Sequence, residues 1–425
     1  MTYAEAIQFL YRLQMFGANF GLSTTRRLAA LIGNPQDKLR FIHVAGTNGK
    51  GSTCAMLESI YRTAGLRVGL FTSPHLVSFR ERIQVNRQPI AESDVVRLVQ
   101  LLRDAPDSHQ ASPTLFEFVT VMALKYFAEQ NCDLVIWETG LGGRLDATNI
   151  VTPLASVITN IALDHQQWLG DTPAKIAAEK AGIIKPGVPV ITSACQPEVL
   201  KVIEQVAREN NAPFMRVESQ VGSTLHLPPS LPGEHQKLNA ALVIATVEVL
   251  KDQIPVGQES VRLGLKNVNW PGRLQLIQKS NGQKILLDGA HNIAGAEALR
   301  DSLKHDFTLT QPTLLLGVLG DKDWSPMCEI LAPLAARIFT VRVASERSAD
   351  AHALAAACRT ANPSAEIFVC DSLPAALEKT AGDQSILIAG SLYLIGEALE
   401  LLDPSFAGHG ERGLNEWKTP PPARR

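Results

Sequence analysis

The sequence predicts an α/β protein: a P-loop-containing domain with a mostly parallel sheet, followed by a smaller Rossmann-like α/β domain. Three observations carry that expectation. Short apolar runs alternate with helix-length amphipathic stretches along most of the 425 residues, as in strand–helix–strand units. One such run breaks into a glycine-rich turn with a lysine in it, Gly46-Thr47-Asn48-Gly49-Lys50-Gly51-Ser52-Thr53. The alternation is then interrupted at Trp270-Pro271-Gly272 and restarts beyond it.

In chain order, residues 3–16 and Ser23 to Ile32 show helical spacing and precede a strand at Phe41–Ala45. The glycine-rich turn follows, with a helix from about Cys54 to Ala64. Glycines let backbone N–H groups crowd an anion, and a helix N-terminus adds partial positive charge. Lys50 suits a terminal phosphate, and Ser52 or Thr53 a phosphate-bound magnesium. The spacing departs from the usual Walker pattern, because Gly51 separates the lysine from the hydroxyls. With a lysine inside the turn, the segment reads as an ATP site rather than an empty strand–helix junction.

A second strand, Arg67 to Phe71, ends in Thr72-Ser73-Pro74-His75-Leu76, and Glu81 to Pro89 reads as a small hairpin or loop. Helices at Glu92–Arg103 and Thr114–Gln130 lead to a strand at Asp133–Trp137. That strand opens into Glu138-Thr139-Gly140-Leu141-Gly142-Gly143-Arg144-Leu145-Asp146. The strand Ala155–Asn160 ends near Asp164-His165; a helix at Pro173–Gly182, a strand at Val188–Thr192 and a helix at Pro197–Asn210 follow. Val217 to Pro232 is turn-rich, at a sheet margin, and Gln236 to Leu250 is helical. The break at Gly264–Gly272 divides the chain into residues 1–268 and 269–407. In the second part the strands are Ile285–Asp288, Thr313–Val318, Arg337–Val343, Glu366–Cys370 and Ser385–Ala389. Helices near Gly295–Lys304, Trp324–Leu334, Asp350–Thr360 and Leu373–Ala381 separate them. Residues 408–425, with three consecutive prolines and a basic end, read as a loose tail.

Composition narrows the function classes. Apolar residues at 45% and charged residues at 19% are ordinary for a globular enzyme. Lys+Arg 40 against Asp+Glu 42 gives a net charge of −2, which does not support nucleic-acid binding by bulk charge. No apolar run reaches membrane-spanning length, and the N-terminus lacks a secretory pattern. Six cysteines without paired spacing fit a reducing compartment, so a cytoplasmic enzyme is expected, with no nucleic-acid or membrane partner and acting as a monomer.

Polar clusters just past strand ends lie along one edge of a parallel sheet, where open α/β proteins bind ligands. The phosphate loop, Ser73 with His75, Glu138, and Asp164 with His165 all qualify, and oxygen donors there suit magnesium. By donor chemistry alone His165 reads as a structural histidine, since imidazole prefers softer metals. By pattern alone Lys180 reads as a solvated helix lysine. Asp288 follows a strand of the second part, able to hold a ribose or reach across a cleft, and Arg273 follows the linker.

The ordered set Ala45–Ser52, Thr72–Leu76, Glu138–Asn149, Leu163-Asp164-His165, Glu179-Lys180-Ala181-Gly182 and Asp288-Gly289-Ala290-His291-Asn292 resembles the folylpolyglutamate synthases. That family, within the Mur ligase superfamily, includes bacterial members that are also dihydrofolate synthases; the likeness runs to about Leu402. It implies ligation of L-glutamate to a folate-type carboxylate, dihydropteroate or a reduced folate, through an acyl phosphate made from ATP, with both activities expected. Gly46, Asn48, Gly49, Lys50, Gly51, Ser52 and Thr53 match the phosphate loop; Asn239, Arg273 and Asp288 match nucleotide contacts. Ser73, Glu138 and His165 match metal ligands, with two magnesium ions implied, against the donor-chemistry reading of His165. Lys180 matches a lysine carbamylated in relatives, and the resemblance implies a further requirement for potassium. His75, Phe79 and Asp146 correspond to the pterin side, and His291 and Ser391 to the handling of glutamate or acyl phosphate.

Other readings stay in view. Cell-wall Mur ligases carry a uridine-nucleotide domain before the loop, for which residues 1–40 are too few. An ATP-driven conformational switch would not need the metal-site residues, and a nucleic-acid motor would need a basic, aromatic stripe.

Overall fold

A computed structural model describes residues 1–14, 21–105, 112–218, 230–307, 311–406 and 411–415. The strands are β1 Phe41–Ala45, β2 Val68–Phe71, β3 Ile83–Val85, β4 Gln88–Pro89, β5 Leu134–Glu138, β6 Ala155–Ile158, β7 Val190–Thr192 and β8 Phe214–Arg216 in the first part. The second part has β9 Gln275–Gln278, β10 Lys284–Asp288, β11 Thr313–Leu316, β12 Arg337–Val341, β13 Glu366–Cys370 and β14 Ser385–Ala389.

The first sheet has the order β4-β3-β2-β5-β1-β6-β7-β8. It is parallel from β2 to β8, and β3 and β4 add an antiparallel edge. β1 pairs with β5 on one side, Phe41 opposite Val135, and with β6 on the other, Ile42 opposite Ala155. The chain therefore runs to one side of β1 for β2 and β5 and to the other for β6 to β8. Such a reversal leaves a crevice at the carboxyl ends of the strands. The central strands are buried on both faces, which is why they read as continuous apolar runs. Trp137 of β5 is fully buried, stacks on Phe71 at 4.4 Å between centroids, and donates its indole N–H to the Thr148 carbonyl at 3.0 Å. Burying such a side chain is worth roughly 1.5–3 kcal/mol.

The second sheet, β13-β12-β11-β14-β10-β9, is parallel except for β9. β9 and the helix Leu392–Leu402 are additional to the elements the sequence pattern predicts. The alternating burial of β9 (half-buried, exposed, half-buried, exposed) is a weak apolar signal, as expected for a sheet edge.

Three expectations change. The loop helix begins at Lys50, not Cys54, so Lys50 to Thr53 form its first turn. Helical hydrogen bonding needs no apolar residue, and Gly51 concealed the start. Gly264 does not belong to the break: it lies in the helix Gln258–Lys266, buried, where a Cβ would meet the Ile60 Cα at 2.5 Å. That helix docks on the loop helix, so the break in helical structure begins only at Asn267. Lastly, part of the tail is ordered: Glu411–Asn415 forms a 3-10 turn with Glu411 buried. The rest of the tail, 408–410 and 416–425, and most of the turn-rich Val217–Pro232 stretch lie outside the described residues. No helix among the described residues is long and apolar enough to cross a membrane.

Candidate active site

The cleft at the end of β1 is a cavity of about 220 Å³ lined by both parts of the chain. The loop from Gly46 is pinned to the segment after β6. Thr47 N–H donates to the Asn160 carbonyl at 2.8 Å, Asn48 N–H to the Asn160 side chain at 2.8 Å, and Thr159 Oγ1 to the Asn48 carbonyl at 2.7 Å. Gly46 (φ 150°) lies so close to Thr159 that a Cβ would fall 1.7 Å from its Oγ1. Gly49 adopts φ 86°, and a Cβ there would meet Asn239 Oδ1 at 2.7 Å. Both positions exclude a side chain, leaving backbone N–H groups at a helix N-terminus free to meet an anion. Lys50 Nζ folds back onto the carbonyls of Gly46 and Thr47, at 3.1 and 3.2 Å.

Behind the cradle, Glu138 ends β5. The carboxylate is 4% exposed and accepts from Ser73 N–H at 3.1 Å. Burial pushes its pKa up to about 7, against the pull of Lys50 and that hydrogen bond. Lys180 is also 4% exposed, which overturns its reading as a solvated lysine; its Nζ donates to the Gly46 carbonyl at 2.7 Å. Burial, then the neighbouring Lys50 charge, lower it to about 7, so much of its population carries a neutral amine at neutral pH.

A second cluster spans the cleft. Asp164 accepts from Lys322 Nζ at 2.6 Å, from His165 N–H at 2.8 Å and from Asn292 Nδ2 at 3.1 Å. Burial alone would push Asp164 up, but Lys322, His165 and His291 outweigh it and hold it well below the carboxylate range. Asn292 and Asn48 exchange side-chain hydrogen bonds at 3.0 and 3.1 Å, joining the two parts directly. His165 has a left-handed backbone (φ 50°) and its Nε2 lies 3.3 Å from the Lys322 ammonium. Burial and that ammonium lower its pKa to about 3, so the ring is neutral and Nε2 is the acceptor. His291 Nδ1 donates to the Gly289 carbonyl at 2.7 Å; burial, then Lys322, lower its pKa to about 4.

The helix Glu234–Val249 supplies the next wall. Asn239 donates to Gln236 at 3.0 Å, and Gln236 donates to Ser52 Oγ at 3.2 Å. Asp288, at the end of β10, accepts from Leu274 and Ala290 N–H groups, both at 2.9 Å. Burial raises its pKa although Arg273 opposes the shift. Gly46, Asn48, Gly49, Lys50, Gly51, Ser52, Ser73, Glu138, His165, Lys180, Asn239, Arg273, Asp288 and His291 all line the one cleft.

Five expected site residues do not line it. Thr53 is buried within the first turn of the loop helix. Asp146 is spent on its own turn, accepting from Leu141 N–H at 2.6 Å and Thr148 Oγ1 at 2.5 Å. Ser391 caps the helix Leu392–Leu402 through Tyr393 N–H. His75 and Phe79, within the segment that joins β2 to β3, are 2% and 0% exposed and hydrogen-bonded to Glu411. In this structure each of them is held by its own local hydrogen bonds or packing rather than facing that cleft. Lys322 and Asn292 went unread, although Gly320-Asp321-Lys322-Asp323 follows a strand end just as the recognised clusters do.

Among the described residues, no three His, Cys, Asp or Glu side chains converge tightly enough to hold a metal by themselves. The buried Glu138 beside Ser73 nonetheless offers a carboxylate and a hydroxyl, which suits magnesium when phosphate oxygens complete the shell.

Comparison with known proteins agrees with this geometry. Residues 44–247 match the Mur ligase middle domain, and residues 272–392 the Mur ligase, glutamate ligase domain. The chain is 38% identical to a Bacillus subtilis dihydrofolate synthase/folylpolyglutamate synthase, over 93% of this chain and 98% of the relative. Against Lacticaseibacillus casei folylpolyglutamate synthase, identity is 34% over 95% and 99%. Among solved structures, Thermotoga maritima folylpolyglutamate synthase superposes with a TM-score of 0.81 at 34% identity, covering 95% of this chain and 97% of that one. Escherichia coli FolC in complex with DHPP and ADP superposes at 0.84 with 30% identity, covering 95% and 98%. A phosphate cradle and a second α/β unit closing one cleft, in a chain alike from end to end, lead to one assignment: the protein belongs to the Mur ligase family, among the folylpolyglutamate and dihydrofolate synthases.

Proposed function

We propose that this protein uses ATP to ligate L-glutamate to a folate-type carboxylate, acting on both dihydropteroate and reduced folates. The observation that carries the reading is the shared cleft: Lys50 and the Gly46–Ser52 cradle face Arg273, Asp288 and His291 of the second part across it. An acceptor carboxylate attacks the γ-phosphorus of ATP, ADP leaves, and the acyl phosphate is then attacked by the glutamate amine, releasing phosphate and a proton. Lys50 and the helix N-terminus offset the charge gathered when carboxylate and triphosphate meet. Ser73 and Glu138, with His165 as a further ligand once Lys322 yields its Nε2, would hold magnesium, which supplies Lewis-acid charge neutralisation. His291 is neutral, with Nδ1–H fixed on Gly289, so Nε2 is left to orient the amine or take its proton. Closure of the two parts excludes water from the acyl phosphate.

A partly neutral, buried Lys180 beside the cradle is the form of amine that reacts with carbon dioxide, which supports its carbamylation; intact mass before and after mild acid tests it. A potassium requirement, action as a monomer and a cytoplasmic location belong to the same reading. The test is purified protein with ATP, magnesium and glutamate, offered dihydropteroate and tetrahydrofolate in parallel and analysed by mass spectrometry. Both acceptors should gain a glutamyl unit. Turnover of tetrahydrofolate alone would favour a second reading, folylpolyglutamate synthase only, which is the name borne by the Lacticaseibacillus casei relative. Product from neither would end the proposal.

A further inference from the structure

The loop between β2 and β3 is held partly by its own carboxylate and partly by the far end of the chain. Backbone N–H groups of Leu76, Val77 and Ser78 donate to Glu81 at 2.8, 3.0 and 2.7 Å. The next N–H, that of Phe79, donates to Glu411 Oε2 at 2.6 Å, and the Ser78 hydroxyl donates to the same oxygen at 3.0 Å. The Glu411 carbonyl accepts from His75 Nε2 at 3.0 Å, while His75 Nδ1 accepts from Arg82 at 2.9 Å. A guanidinium on Nδ1 places the ring proton on Nε2, so His75 is locked between Arg82 and the chain end. Glu411 is 1% exposed. Charge-assisted bonds of this kind are stronger than neutral ones and fix geometry.

The turn that carries Glu411 is tied to the second part of the chain. Arg412 pairs with Glu400 of the helix Leu392–Leu402 at 2.7 Å. That helix also touches the loop directly: a Cβ on Gly396 would fall 2.1 Å from the Leu76 carbonyl oxygen. Its first residue, Leu392, lines the cleft, as do Ser73 and Pro74 at the start of the loop.

We propose that Glu411 is a positioning residue for ligation: it clasps the Ser73–Arg82 loop to the second domain and so keeps Ser73 against Glu138. This rests on the ligase reading given above. The test compares the full-length protein with Glu411→Ala and Glu411→Gln. Glutamine keeps an acceptor oxygen for Phe79 N–H and the Ser78 hydroxyl, whereas alanine keeps none. Glu411→Ala should lower kcat/KM for the folate acceptor about tenfold or more, with KM for ATP within about twofold and Glu411→Gln within about threefold of the parent. Independently of activity, amide exchange at Ser78 and Phe79 should quicken about tenfold in Glu411→Ala. Unchanged exchange there would overturn the clasp, and so would faster exchange with an unaltered kcat/KM. Equal losses in ATP and folate parameters, tracking a lowered Tm, would reduce Glu411 to a structural part and overturn the proposal too. A parent protein that ligates nothing would instead overturn the ligase reading, whatever the exchange result.

Discussion

The cradle at Gly46–Ser52 and the cluster around Asp164 line the same cleft but are built in opposite ways. The cradle is one contiguous segment whose shape is set by two glycines that no side chain could replace and by three bonds to Thr159 and Asn160. The Asp164 cluster has no shape of its own. It exists only where Asp164 and His165 from one part meet Asn292, His291 and Lys322 from the other. A contiguous site can be rigid before the domains meet; a cross-cleft site is made and unmade with their relative position.

The two sites should differ most at Lys50. Its two part-buried bonds reach only carbonyls of its own loop, so Lys50→Ala should cut ligation about 10³-fold or more while the Tm stays within a few degrees. Near-normal turnover would mean that the cradle does not hold the triphosphate. At the cluster the expectation reverses, because Lys322 and Asp164 are side chains only 10% and 9% exposed. Lys322→Met should destabilise the protein by about 3 kcal/mol by leaving a buried carboxylate unpaired, and adding Asp164→Asn should recover part of it. A double variant no more stable than the single one would show that the pair is not coupled.

A pH-dependent effect, absent near neutrality, distinguishes the strand under the cradle. His43 of β1 is fully buried, donating Nε2–H to Thr148 Oγ1 at 2.9 Å, and burial followed by Lys185 lowers its pKa from 6.5 to about 3. Below pH 6.5 the unfolded chain takes up a proton that the folded chain refuses, so stability falls with falling pH and the decline ends near pH 3. The slope should approach about 1.4 kcal/mol per pH unit, and the stability of His43→Gln, measured by denaturant unfolding at a series of pH values, should depend on pH less steeply by that amount. The smallest expected effect is on shape: ATP with acceptor should shift small-angle scattering slightly as the cross-cleft bonds rearrange about residues 267–272. Identical curves with and without ligands would make the cluster as rigid as the cradle.

Legibility followed the same division. The cradle, Ser73, Glu138 and Asp288 were readable because each is a polar group set directly after an apolar strand. Lys322 obeys that rule and could have been found by applying it beyond the first domain. Lys180 was misread by pattern because helical periodicity records spacing and not what packs on the helix. His75 and Phe79 were placed at a ligand surface, yet the turn at Glu411, over 330 residues further along, closes over them.

By itself the sequence determined the two α/β units, the strand that ends in a phosphate cradle, and the family resemblance, since all of these are written in contiguous residues. Only the tertiary structure decided that Lys180 is buried, that Lys322 reaches Asp164, and that the chain end secures the Ser73 loop. Burial and charge pairing depend on distances between segments, and a linear order of residues does not contain those distances.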